Sequence, residues 1–165
     1  MKNLIFGFLL ALSSQTTFGQ NNATIDETID FIKSKLSKDN SWSEGSFKQT
    51  VTFRKAEHML IIRKIQTGSI PFDESIFVPL NKMDPSGIEI FENKNDKNRI
   101  RMNVYTINKE RVIKTVFADN QYKPEFDNYT QFIFDPIDIQ NNIPERFKKA
   151  FIHAIGLSGG QQEKF

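Results

Sequence analysis

Cysteine is absent from all 165 residues. The chain therefore forms no disulfide, holds no thiolate-bound metal and has no cysteine nucleophile. Anchoring as a bacterial lipoprotein needs a cysteine at the cleavage site, so that route to a membrane is excluded. Histidine occurs only at His58 and His153, and neither has a His, Asp or Glu three or four positions away. No metal site and no cofactor are expected. No apolar run approaches the roughly 20 residues that a membrane-spanning helix needs. A clustered basic face is missing too: 22 basic and 20 acidic residues are scattered, leaving a net charge of +2. Nucleic acid is excluded as an expected partner.

What is present describes one exported globular domain. Hydrophobic residues make up 38% of the chain, charged residues 25%, and sixteen are phenylalanine, enough for a sizeable core. At the N-terminus Lys2 precedes the apolar run Leu4 to Leu12, followed by polar residues and Thr17-Phe18-Gly19. Basic start, short apolar stretch and small residues at a cleavage point are the three parts of a secretory signal. Residues 1–19 are expected to be removed, leaving 20–165 as a single soluble domain, periplasmic or extracellular. The abundance of Asn, Lys, Ile and Phe, with a signal ending Gly19-Gln20, resembles exported Gram-negative bacterial proteins.

Thr24-Ile25-Asp26-Glu27 reads as a capping box, and Ile25, Ile29, Ile32 and Leu36 follow on one stripe. A helix is expected over 25–37, with Phe31 off the stripe. From Phe47 the period changes to two, and Phe47, Gln49, Val51 and Phe53 alternate with polar neighbours. Further strands are expected at about 59–66, 74–80, 87–92, 99–107, 111–117 and 129–134. Turn signals separate them at Thr67-Gly68-Ser69, Asp84-Pro85-Ser86-Gly87 and Glu92 to Asn98. Pro79 belongs at a strand end. Pro144 and Glu145 open a second helix, with Phe147, Ala150, Phe151 and Ala154 inward and Arg146, Lys148, Lys149 and His153 outward. Ile152 stands among the outward residues, where the first helix could cover it.

Seven successive strands between two helices give an α+β domain, mostly an antiparallel barrel or sandwich. Seven strands closed by one amphipathic helix resembles the pleckstrin-homology-like fold, over Phe47 to Leu157, with the first helix as an addition. The stretch Arg146 to Ile155 is also similar to the ends of small exported bacterial proteins. In phosphoinositide-binding members a Lys/Arg cluster joins the first two strands. Here that loop is Lys55-Ala56-Glu57-His58, so that activity does not carry over.

Candidate chemistry is sparse. Gly156-Leu157-Ser158-Gly159-Gly160 fits G-x-S-x-G, but it follows a helix and no histidine comes after it. Glycine just past a helix is a C-cap, so a helix stop is expected. Asn93 to Asn98 superficially resembles a calcium loop, yet Lys97 stands where an oxygen ligand is needed and the required glycine is missing. Asp135 and Asp138, with Asp119, Glu125 and Asp127, are the carboxylates available for acid–base work. The most unusual segment is Ala118 to Asn128, carrying Tyr122 and Phe126, with Tyr129 opening the next strand. Loop aromatics give contact area at low entropic cost, so these three and Phe72 are the expected ligand or partner contacts.

The expectation is a non-enzymatic binding or interaction module of the bacterial envelope, taking a peptide, an envelope protein or an apolar small molecule. A second reading is an envelope hydrolase using loop carboxylates, marked by two facing acids. A third is a structural accessory of an envelope assembly, marked by an exposed apolar patch around Ile152 and Phe31.

Overall fold

The computed structural model describes residues 23–43, 45–92, 99–119 and 122–160. The expected leader at 1–19 and the polar run Asn93 to Asn98 lie outside the described residues. The elements run α1 (Ile25–Leu36), β1 (Lys38–Trp42), β2 (Gly45–Arg54), β3 (Met59–Gln66), β4 (Phe72–Pro79) and β5 (Met83–Glu92). They continue with β6 (Ile100–Thr106), β7 (Ile113–Phe117), β8 (Glu125–Asp127), β9 (Tyr129–Phe134), α2 (Pro136–Gln140) and α3 (Ile143–Leu157). All ladders are antiparallel, in two sheets ordered β1-β2-β3-β4-β7-β8 and β5-β6-β9. The architecture is α+β and sandwich-like.

A closed barrel does not form among the described residues, because no ladder joins the two sheets. Among the described residues the expected seven strands also become nine, with β1 and β8 added. In β1, Lys38-Asp39-Asn40-Ser41 has low strand preference and shows no alternation, and β8 has only three residues. Where β1 approaches the end of β9, side chains meet instead of backbones: Lys38 Nζ donates to Asp135 Oδ2 at 3.0 Å.

Helix α1 starts where its capping box places it. Thr24 N–H donates to Glu27 Oε2 at 2.8 Å, and Glu27 N–H donates to Thr24 Oγ1 at 3.3 Å. These bonds from the Thr24 backbone and hydroxyl hold the Glu27 carboxyl below its ordinary range. Ile29, Ile32 and Leu36 are buried, as the stripe requires. Phe31 is half-buried, with the cationic ends of Lys35 and Arg146 about its ring at 5.7 and 5.5 Å.

The strands bury alternate residues, with Val51 opposite Ile62 and Leu60 opposite Val78. Helix α3 packs on the three-stranded sheet. Its Phe147 and Phe151 meet Phe132 and Phe134 of β9 in a four-ring cluster, with centroids 5.2–5.8 Å apart. Each fully buried ring contributes about 1.5–3 kcal/mol from apolar burial.

Three local expectations are corrected. The turn signal Asp84-Pro85-Ser86-Gly87 lies inside β5, as a break in register between Met83 and Ile88. Asp84 Oδ1 accepts from Ser86 N–H there at 2.9 Å, a local turn that lets the strand resume. His153 does not point freely into water: its Nε2 lies 2.9 Å from the Ala23 carbonyl oxygen, at the start of α1. Ile152 is not covered by α1 and remains 37% exposed. The outward helix face stays outward there.

Candidate functional site

Two of the candidate hydrolase carboxylates, Asp135 and Asp138, are engaged in structure. Asp135 binds Lys38 and, through Oδ1, Arg99 Nε at 3.4 Å. Asp138 Oδ2 accepts from the Asp135 backbone N–H at 3.2 Å, closing the first turn of α2. This pair joins β9 to α2 and α2 to β1. Among the described residues, no three His, Asp or Glu side chains gather as a metal site.

Ser158 ends a helix. Gly160 N–H donates to the Ile155 carbonyl at 2.9 Å and Gly159 N–H to that of Gly156 at 3.2 Å. With Gly159 at φ +82°, this is the paired-bond Schellman stop that needs a left-handed residue. Ser158 itself is buried, and among the described residues its Oγ has no partner. A nucleophile must be exposed and bonded to a base. This serine is neither.

The expected binding residues separate into three places. Phe72 is half-buried against Phe47, with centroids 6.4 Å apart. Tyr122 lies over Phe117 at 5.5 Å, although most of its own surface is open. Phe126 and Tyr129 flank Asn128, at the corner where the chain leaves the six-stranded sheet for the three-stranded one. Tyr129 pairs with Tyr105 at 5.6 Å, on the outer face of the smaller sheet.

That corner is the candidate site. Phe126 is exposed on β8, an edge strand of only three residues, opposite Lys114 of β7. Arg111, Pro124, Glu125, Phe126 and Asp127 line an open groove of about 530 Å³. Arg111 Nε–H donates to the Phe126 carbonyl at 2.7 Å, and among the described residues its guanidinium has no other polar partner. The groove thus offers one ring, one free guanidinium edge and two carboxylates.

A strained turn holds this corner in place. Between β6 and β7, Asn108 and Lys109 are both left-handed, at φ 54° and 55°. Such a conformation costs a non-glycine residue about 1–2 kcal/mol. Surrounding bonds enforce it. Buried Thr106 donates its N–H to the Asn128 carbonyl at 2.9 Å and its hydroxyl to the Glu110 carbonyl at 2.6 Å. Strain that persists because its neighbours fix it clusters at functional sites.

Sequence reasoning found Phe126 and Tyr129 but missed Arg111, Thr106 and the Asn108–Lys109 turn. Asparagine's tolerance of the left-handed region was the available signal at 108. Nothing in the pattern pointed to Lys109 or to the reach of Arg111 across to β8. No family model matches the chain, no curated protein matches it, and no solved structure matches it.

Proposed function

We propose that the chain is an exported, non-enzymatic binding module of the bacterial envelope, and that the β8–β9 corner is its recognition site. The observation that carries this reading is the convergence on one groove of exposed Phe126, the free edge of Arg111 and a strained supporting turn. A ring beside a guanidinium and two carboxylates suits an extended polypeptide segment bearing an apolar side chain next to an acidic one. Phe126 would supply the apolar contact, and Arg111 the bidentate grip on a carboxylate. Glu125 and Asp127 would disfavour segments rich in acid and so set a limit on partner charge.

Of the pleckstrin-homology-like reading, two antiparallel sheets and a C-terminal helix are retained while the seven-strand count is not, and a sandwich-like frame carries its sites on loops and strand edges. Of the carboxylates considered for a hydrolase, Asp135 and Asp138 are engaged with α2, Lys38 and Arg99, while Glu125 and Asp127 line the groove. The test is selection from a displayed library of random short peptides. Wild type should enrich sequences with an apolar residue next to Asp or Glu. Phe126→Ala and Arg111→Ala should each abolish that enrichment. No common motif, or the same motif from all three proteins, would reject the reading.

A further inference from the structure

The outer face of the three-stranded sheet carries side chains in rows that the core does not use. Across β9, β6 and β5, Tyr129 stands beside Tyr105, Gln131 beside Asn103 and Glu89, and Ile133 beside Arg101 and Phe91. The residues that alternate with them, among them Phe132, Met102 and Ile88, are buried in the core. The face itself is open: Tyr129, Ile133 and Phe91 are 40%, 46% and 43% exposed, and Gln131, Arg101 and Glu89 are exposed beside them.

Its middle row is polar and held in one arrangement. Gln131 Nε2–H donates to Asn103 Oδ1 at 2.9 Å, and Asn103 Nδ2–H donates to the Tyr105 hydroxyl at 3.3 Å. These bonds orient both amides and leave Gln131 Oε1 and the Tyr105 hydroxyl hydrogen without a partner among the described residues. Arg101 and Glu89 have no polar partner there either. The rings of Tyr105 and Tyr129 lie 5.6 Å apart at one end of this row, tilted by 37°. Gly87 makes room for them, since a Cβ there would stand 3.2 Å from Tyr105 Cβ.

We propose that this face binds a carbohydrate chain laid along the strands, at a site separate from the β8–β9 groove. A sugar ring has a flat face of C–H groups and a rim of hydroxyls that each donate and accept. Open aromatic rings cover the C–H face at low entropic cost. The amides, the Arg101 guanidinium and the Glu89 carboxylate supply donors and acceptors side by side for the hydroxyls. The pattern disfavours other partners. A protein-binding face has an apolar centre inside a polar rim, and here the centre is polar with the rings at its ends. An added peptide strand takes its main-chain bonds from a sheet edge, which this face does not offer. Phosphates of a nucleic acid would meet Glu89 as well as the single cation Arg101. From Tyr129 to Ile133 the row spacing spans about 13 Å, so the face suits a linear segment better than a single sugar.

The test is binding of the purified protein to an array of neutral and acidic linear oligosaccharides, followed by calorimetric titration with the member retained best. Wild type should retain a subset of the array and bind longer members more tightly than single sugars. Tyr129→Ala and Gln131→Ala should each weaken binding by about tenfold or more. Tyr129→Phe, which keeps the ring, should bind nearly as wild type does. Circular dichroism matching wild type checks that each variant is folded. Phe126→Ala and Arg111→Ala should leave oligosaccharide binding unchanged, so the two sites succeed or fail separately. A wild type that retains no oligosaccharide overturns the proposal. Binding that Tyr129→Ala and Gln131→Ala leave intact overturns it too, as does a loss in Tyr129→Phe as large as that in Tyr129→Ala.

Discussion

Arg111 Nε–H donates to the Phe126 carbonyl oxygen at 2.7 Å, tying the turn after β6 to the edge strand β8. The bond fixes the wall of the groove and leaves the rest of the guanidinium facing outward. Arg111→Ala should lower stability by only about 1 kcal/mol, since the bond is exposed to water. Urea denaturation measures that loss. Arg111→Lys should not restore peptide selection, because a lysine ammonium lacks the planar fork that grips a carboxylate while bonding a carbonyl. Full recovery by lysine would mean that only the charge matters.

Phe147 is fully buried and touches Phe132, Phe134 and Phe151. Phe147→Ala should cost about 4 kcal/mol, from lost burial and the cavity left behind. A urea midpoint that hardly moves would show that α3 does not pack on the three-stranded sheet as described.

At the end of α3, the three residues should respond in opposite directions. Ser158→Ala removes a buried hydroxyl that has no partner among the described residues, so stability should stay level or rise by up to about 1 kcal/mol. Gly159→Ala should cost about 1 kcal/mol for its left-handed backbone, since the space around it is open. Gly160→Ala should cost more, because its Cβ would collide with Ile155 Cγ2 and lie 3.0 Å from the Ile155 carbonyl oxygen. Thermal melts of the three variants check that order. A large loss at Ser158→Ala would contradict the helix-stop account.

How far the sequence could be read follows from which signals are local. The capping box at Thr24 and Glu27, the α1 stripe and the alternation through Val51 and Phe53 are short-range patterns, and they formed as expected. β1 was invisible because its polar residues become a strand only by pairing with β2. β8 was invisible because three residues hold no period. The break in β5 was mistaken for a boundary, since Asp84-Pro85-Ser86-Gly87 looks the same whether a strand ends or resumes. The site was half legible for the same reason. Phe126 and Tyr129 stand out as aromatics near a turn, while the hold of Thr106 on Asn128 spans 22 positions.

Two nitrogens of Arg63 hold Asp73, Nε to Oδ1 at 3.1 Å and Nη2 to Oδ2 at 2.8 Å. These bonds hold the Asp73 carboxyl below its ordinary value, and the carboxylate raises the Arg63 guanidinium. The unfolded value for aspartate is about 3.9. A depressed folded value means that ionised Asp73 stabilises the fold above that pH. The contribution is lost as the pH falls through the lower folded value. Asp73→Asn should therefore narrow the stability difference between neutral and acidic solution, with the gap between variant and wild type shrinking below about pH 4. The two proteins' melting temperatures, measured from neutral pH downward, check this. A gap that widens toward acid would contradict the assignment.

The most direct test of the recognition site is native mass spectrometry of the protein purified gently from its source cells, beside Phe126→Ala and Arg111→Ala. The expected result is a bound polypeptide on wild type whose occupancy falls several-fold in both variants, while Ser158→Ala retains it in full. An empty wild type, or the same occupancy in all four proteins, would contradict the account of the β8–β9 corner.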